Sequence, residues 1–280
     1  MNHVAMLRIG NEIDFIEELM NLHIQHFDTI YLLEDSDDGT SEVVKSYPQV
    51  IYSKTIEELS KEIGIADNIP NKEWVRQIVL EQIIKDWGEG TWITFLHGDE
   101  ILYYCPIQLA QLGEALGWKA TVWEPMHFFL HSSQRASWES EWANKPILER
   151  LQWYCPGSSQ TEWPGFEVKQ IRATSDLKYV IGEKFKYYPT GVEDSTNPPP
   201  YPLYLHLGYR NPQQTMERVR KNFIKGFQPM HRGLLSTGPF VDCLDGIDEV
   251  RKFTGDFEER ELHNLNRYFE CEHSIVKEKS

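Results

Sequence analysis

Cysteine is scarce in this chain: four among 280 residues, at positions 105, 155, 243 and 271, with no C-x-x-C and no zinc-ligand spacing. That pattern argues against a disulfide framework or a zinc module and fits isolated thiols in a reducing compartment. Basic residues are also in deficit. Lys and Arg number 28 against 43 Asp and Glu, a net charge of -15. Nucleic acid or an anionic membrane surface is therefore not expected as the main partner, because gripping many phosphates needs a basic stripe. No apolar run approaches membrane-spanning length and no secretory leader precedes the first strand-like segment, so a cytoplasmic protein is expected. G-x-G-x-x-G and the P-loop are both missing, which leaves a nicotinamide or ATPase reading without its phosphate cradle. No repeat and no Gly/Ser linker divides the chain, and Pro198-Pro199-Pro200 is too short for more than a stiff loop.

What is present is a set of apolar strands that each run into polar residues. Val4-Ala5-Met6-Leu7-Arg8-Ile9 leads to Gly10-Asn11-Glu12, and Thr29-Ile30-Tyr31-Leu32-Leu33 leads to Glu34-Asp35-Ser36-Asp37-Asp38-Gly39-Thr40. Trp92-Ile93-Thr94-Phe95-Leu96 leads to His97-Gly98-Asp99-Glu100. Between the first two, Ile13, Ile16, Met20, His23 and Phe27 recur at helical steps, which predicts an amphipathic helix capped by Asn11. A short helix to about Ser46, a strand at 50–52 and a helix from Lys72 to Trp87 with Val75, Val79 and Ile83 on one stripe follow. Alternating strands and helices imply a mostly parallel, Rossmann-like sheet flanked by helices, whose strand-end clusters share one edge. Ligands bind in the crevice beyond that edge, so His97, Asp99 and Glu100 have a physical reason to be functional; the plainer reading is a turn using Gly98 and Asp99.

Later in the chain, Leu203, Leu205 and Leu207 alternate with Tyr204, His206, Gly208 and Arg210, the pattern of a strand with an apolar and a polar face. Asn211-Pro212 then opens a helix through Met216, Val219, Phe223 and Ile224. Arg210, just before a helix start, is a candidate anion contact. The aromatic residues Trp118, Trp123, Trp138, Trp142, Trp153, Tyr154 and Trp163 could stack sugar rings, although aromatics more often build core.

In order and spacing, Leu7 to Glu18, Asp28 to Thr40 and Trp92 to Glu100 resemble the nucleotide-sugar half of family 2 glycosyltransferases with the GT-A fold, and Leu205 to Pro212 resembles the H-x-x-Y-R segment of one bacterial branch. The resemblance is clear over residues 4 to 104 and thins beyond. It implies a nucleotide-sugar half at 1–104, an acceptor half at 105–232, and a C-terminal extension at 233–280, read as a charge-rich helical tail. Leu7, Arg8 and Asn11 would border the base and ribose, Asp35 would contact the nucleoside, and Asp99 would match the last Asp of a D-x-D that holds a divalent cation, Mn²⁺ or Mg²⁺. His97 replaces the first Asp. Imidazole can still ligate Mn²⁺ while shifting preference toward transition metals. His206 would be a further metal or diphosphate contact, with Arg210 beside it. The family often has a basic residue near the nucleotide where Arg76 stands, although a helix position of that kind reads by itself as a solvated face.

The resemblance further implies transfer of a sugar from a nucleoside-diphosphate sugar to a glycan or other hydroxyl acceptor, with inversion. Inversion needs a carboxylate base within reach of the acceptor hydroxyl. Asp194 is the first candidate, Glu193 the second and Glu124 the third, each equally readable as a loop carboxylate. Two other classes stay open, a non-catalytic nucleotide-sugar or glycan-binding relative and a metal-dependent nucleotidyltransferase or hydrolase. Donor sugar, acceptor and oligomeric state are not legible in the residues.

Overall fold

A computed structural model of the protein describes residues 1–62, 64, 75–156, 166–179, 189–192, 196–199, 201–224, 238–242 and 251–252. The fold is mixed α/β, a curled central sheet with flanking helices, compatible with a Rossmann-like arrangement. The chain divides into two compact units, the first built from Met1–Trp123 and Glu167–Tyr201, the second from Glu124–Phe166 and Pro202–Ser280.

In the first unit, β1 (His3–Ile9), β2 (Thr29–Glu34), β3 (Val50–Thr55) and β4 (Trp92–His97) run parallel in the order β3-β2-β1-β4. β1, β2 and β4 are buried along nearly their whole length, which is why they read as unbroken apolar runs rather than alternating ones. β8 (Glu167–Arg172) closes on β4 in antiparallel fashion, and the first residues of β6 (Ala120–His131) pair antiparallel with β8. The connecting helices are α1 (Ile16–His23), α2 (Thr40–Lys45), α3 (Ile56–Glu62), α4 (Arg76–Trp87) and α5 (Pro106–Leu116), with the short strand β5 (Glu100–Leu102) before α5. Val75, Val79, Leu80 and Ile83 press one face of α4 onto Met6, Tyr31, Leu33, Ile93 and Phe95 of the sheet. The stripe expected on this helix is therefore its buried face, and residues 72–74 lie outside the described residues.

One local expectation changes. The first helix begins at Ile16 after Phe15, not at Asn11. Asn11 instead donates its amide to Asp37 Oδ1 (2.6 Å) and accepts from the Asp37 backbone N–H (3.0 Å), so its side chain ties two loops together. In the second loop Gly39 takes a left-handed φ of 95°, and Asp38 Oδ1 accepts the Thr40 N–H at 3.0 Å, which launches α2. Thr40 Oγ1 in turn accepts the Glu12 N–H at 2.9 Å.

In the second unit, the later residues of β6 pair with β7 (Trp153–Pro156), β9 (Leu203–His206) and β10 (Phe240–Val241), and β11 (Arg251–Lys252) pairs with β7. α6 is one turn, Ile147–Arg150, and α7 spans Pro212–Ile224. α7 starts as the sequence predicts: Asn211 Oδ1 caps the N–H groups of Gln213 and Gln214, with Pro212 first in the helix. The polar-out expectation for residues 203–210 does not hold, because Tyr204 and Arg210 are as deeply buried as the leucines. Trp123, Trp138 and Tyr154 are core residues; Trp118, Trp142 and Trp153 are half-buried, and Trp163 lies outside the described residues. Of the cysteines, Cys105 is half-buried and Cys155 is buried, and 243 and 271 lie outside the described residues, as does the tail from 253 onward. Among the described residues no helix is long and apolar enough to cross a membrane.

Candidate metal and anion site

The strand order places one point of the sheet edge apart from the rest. The chain moves from β1 outward to β2 and β3, then returns to the other side of β1 for β4, so the crossovers diverge between β1 and β4. Crevices for ligands open beyond the carboxyl ends of strands at such a reversal. Arg8 and His97 are register partners at that position, on the same face of adjacent strands. The two strand-end clusters singled out in the sequence do converge here.

His97, Asp99 and Glu100 offer ligand atoms that all lie within 4.8 Å of one another. Asp99 and Glu100 are buried and His97 is half-buried. One imidazole nitrogen with two carboxylates is a donor set suited to a borderline divalent ion such as Mn²⁺, so the residues fit a cation of that class. Glu100 is the member sequence reasoning left out of the ligand set. Its Oε2 accepts the His97 backbone N–H at 3.0 Å, and its Oε1 lies 3.2 Å from His97 Nδ1 and 2.7 Å from Lys169 Nζ. Lys169 also reaches Glu167 Oε2 at 2.8 Å. Burial works to raise the Glu100 carboxyl, but His97 and Lys169 overcome it and hold the group well below the usual carboxylate range. Burial likewise works against the Lys169 ammonium, and the two carboxylates outweigh it, leaving its pKa raised.

Arg76 is the clearest departure from its reading as a solvated helix residue, being only 2 % exposed. As the first residue of α4 it turns in over the Phe95 ring, its guanidinium carbon 5.4 Å from the centroid, and its Nη2 lies 2.8 Å from His97 Nε2. The reason is position: the helix carries its apolar stripe onto the β4 face that bears Phe95 and His97.

The remaining candidates are placed as follows. Leu7 is fully buried, between Leu32 and Leu96 in register. Asp35 is exposed, with its backbone N–H on the Ile9 carbonyl. Its neighbour Glu34 is anchored by Lys45 at 2.7 Å and Ser53 at 2.8 Å. His206 belongs to the second unit, where its Nδ1 is 2.9 Å from Nδ1 of His127, its register partner on β6, so one ring donates and the other accepts. Arg210, in the same unit, is fully buried with Nη1 donating to the Leu207 carbonyl at 3.3 Å. Glu124 is half-buried there, and Glu193 and Asp194 lie outside the described residues. A separate cleft lined by His3, His26, Phe27, Asp28, Ile107 and Gln111 opens at the amino-terminal end of β1, away from the cluster.

No family model matches the chain, and no curated protein does. Among solved structures, the mannose-1-phosphate geranyltransferase from Thermus thermophilus aligns over 88% of this chain and 71% of its own, at 10% identity and a TM-score of 0.27. The fold and site follow from the strand order and side-chain contacts of this chain.

Proposed function

We propose that this protein is a metal-dependent transferase that acts on a nucleoside-diphosphate sugar and passes the sugar to a hydroxyl acceptor. The observation that carries the reading is the convergence of His97, Asp99 and Glu100 with Arg8 and Arg76 at the carboxyl ends of β1 and β4. A divalent cation held by His97, Asp99 and Glu100 would offset charge on the departing diphosphate. Of the chain's own groups, Asp99 and Glu100 supply the negative charge that retains such a cation. Arg8 and Arg76 add fixed positive charge near the same edge. Leu7, Asn11 and Asp35 are proposed to border the nucleoside. That proposal, together with Asp194 or Glu193 as base, Arg210 and His206 as diphosphate or metal contacts, and the nucleotide-sugar half at 1–104, the acceptor half at 105–232 and the extension at 233–280, rests on the sequence resemblance.

A nucleotidyltransferase is the second reading, since the same clustered carboxylates suit phosphoryl chemistry on a similar sheet. Products separate the two. Incubation with a nucleoside-diphosphate sugar and Mn²⁺ should release nucleoside diphosphate if the sugar is transferred, whereas nucleoside triphosphate with a sugar phosphate should yield pyrophosphate in the alternative. Binding is tested first: a nucleoside diphosphate should raise the melting temperature only with a divalent cation present, because stabilisation follows affinity for the native state. Asp99→Ala should abolish that rise. An equal rise in excess chelator would remove the metal from the reading.

A further inference from the structure

The hydrogen bond between Arg76 and His97 fixes more than a ring orientation. A guanidinium has only N–H donors, so His97 Nε2, at 2.8 Å from Arg76 Nη2, must accept with its lone pair. The ring proton then sits on Nδ1, which lies 3.2 Å from Glu100 Oε1 and donates to that carboxylate. Glu100 is held in place for this by its second oxygen on the His97 backbone N–H and by Lys169. In this arrangement neither imidazole nitrogen offers a lone pair to a cation: one is protonated and the other is engaged by Arg76.

We infer that Arg76 is a positioning residue that competes with the divalent cation for His97, setting the metal affinity of the site through the tautomer of one histidine. The inference rests on the metal reading above. Binding at Nε2 requires the guanidinium to withdraw. Binding at Nδ1 requires the proton to move to Nε2, where it would meet an Arg76 N–H donor to donor. Either route gives up the same charge-assisted hydrogen bond, so the bond's free energy is subtracted from metal binding. A ligand that draws Arg76 off His97 strengthens the cation's hold, and by linkage the cation strengthens that ligand's.

The test uses the full chain and Mn²⁺ alone. Long-range ¹H–¹⁵N correlation of the His97 ring in metal-free wild type should show the Nδ1–H tautomer; an Nε2–H or doubly protonated ring overturns the inference without any variant having to fold. Free Mn²⁺ measured by electron paramagnetic resonance should show Arg76→Met binding the ion about tenfold more tightly or better, the scale expected for a lost charged hydrogen bond. That gain should vanish in a His97→Ala background. Equal or weaker binding by Arg76→Met overturns the inference, and so does the same gain without His97, which would mean bare charge repulsion. If neither wild type nor Arg76→Met binds Mn²⁺, the metal reading itself fails.

Discussion

Lys169 Nζ sits 2.7 Å from Glu100 Oε1 and 2.8 Å from Glu167 Oε2, with the lysine and Glu100 side chains at most 3 % exposed. A cation so placed offsets the charge of the very carboxylate that stands beside Asp99 and His97. Removing it leaves Glu100 buried without its ammonium partner, and breaking a buried pair from one side typically costs about 3–5 kcal/mol. Lys169→Met should lose stability on that scale in urea unfolding. The double variant Lys169→Met with Glu100→Gln should recover part of it, since the stranded charge is removed. A single variant within about 0.5 kcal/mol of wild type, the range of an ordinary surface change, would show that the ion pair contributes nothing.

Two buried histidines predict acid sensitivity. His3 donates from Nδ1 to the His26 carbonyl while Nε2 accepts from Thr94 Oγ1, and burial lowers its pKa to about 4. His23 Nε2 accepts the Leu102 N–H, and burial lowers its pKa to about 3. Both folded values lie below the unfolded reference of about 6.5, so the unfolded chain takes up the protons first. Stability is full above about pH 6.5 and falls as pH drops through the window toward 4 for His3 and 3 for His23, by about 1.4 kcal/mol per pH unit for each ring. Urea midpoints across this range should fall on acidification, and His23→Gln should flatten the slope. A midpoint constant between pH 6.5 and 4 would contradict the buried neutral state.

How much of this was legible in the sequence divides along chain separation. Arg8 and His97 could be brought together from pattern alone, because parallel strands joined by helices put their carboxyl ends on one edge. The Glu100–Lys169 pair could not: it spans 69 residues and depends on β8 pairing antiparallel to β4, which no local periodicity announces. The burial of Arg76 is hidden from the sequence for a related reason. The apolar stripe of α4 was visible, but the side chain at the helix start leans over the sheet edge rather than into solvent, and only packing decides that. Asn11 satisfied every local rule for a helix cap, yet Asp37 in the neighbouring loop took its amide. Tyr204 and Arg210 alternated as an exposed face should and are buried nonetheless.

Gly98 separates His97 from Asp99, and a Cβ there would lie 2.8 Å from Glu12 Oε2, the oxygen that accepts the Gly10 N–H at 2.5 Å. Glu12 is half-buried and can swing away, so Gly98→Ala should cost about 1 kcal/mol, the net worth of the displaced hydrogen bond. With Glu12→Ala as background the cost should disappear, a non-additivity that a double-mutant cycle measures directly. Additive effects would mean that the two residues do not meet.

We propose that a divalent cation is held by Asp99 and its neighbours. Crystals grown with Mn²⁺ and a nucleoside diphosphate, measured at the manganese absorption edge, test it most directly. One anomalous peak is expected within coordination distance of an Asp99 oxygen, with His97 or Glu100 as a second ligand and the diphosphate oxygens completing the shell. Nucleotide bound at the β1–β4 edge with no anomalous peak beside Asp99, or a peak whose ligands exclude Asp99, would contradict it.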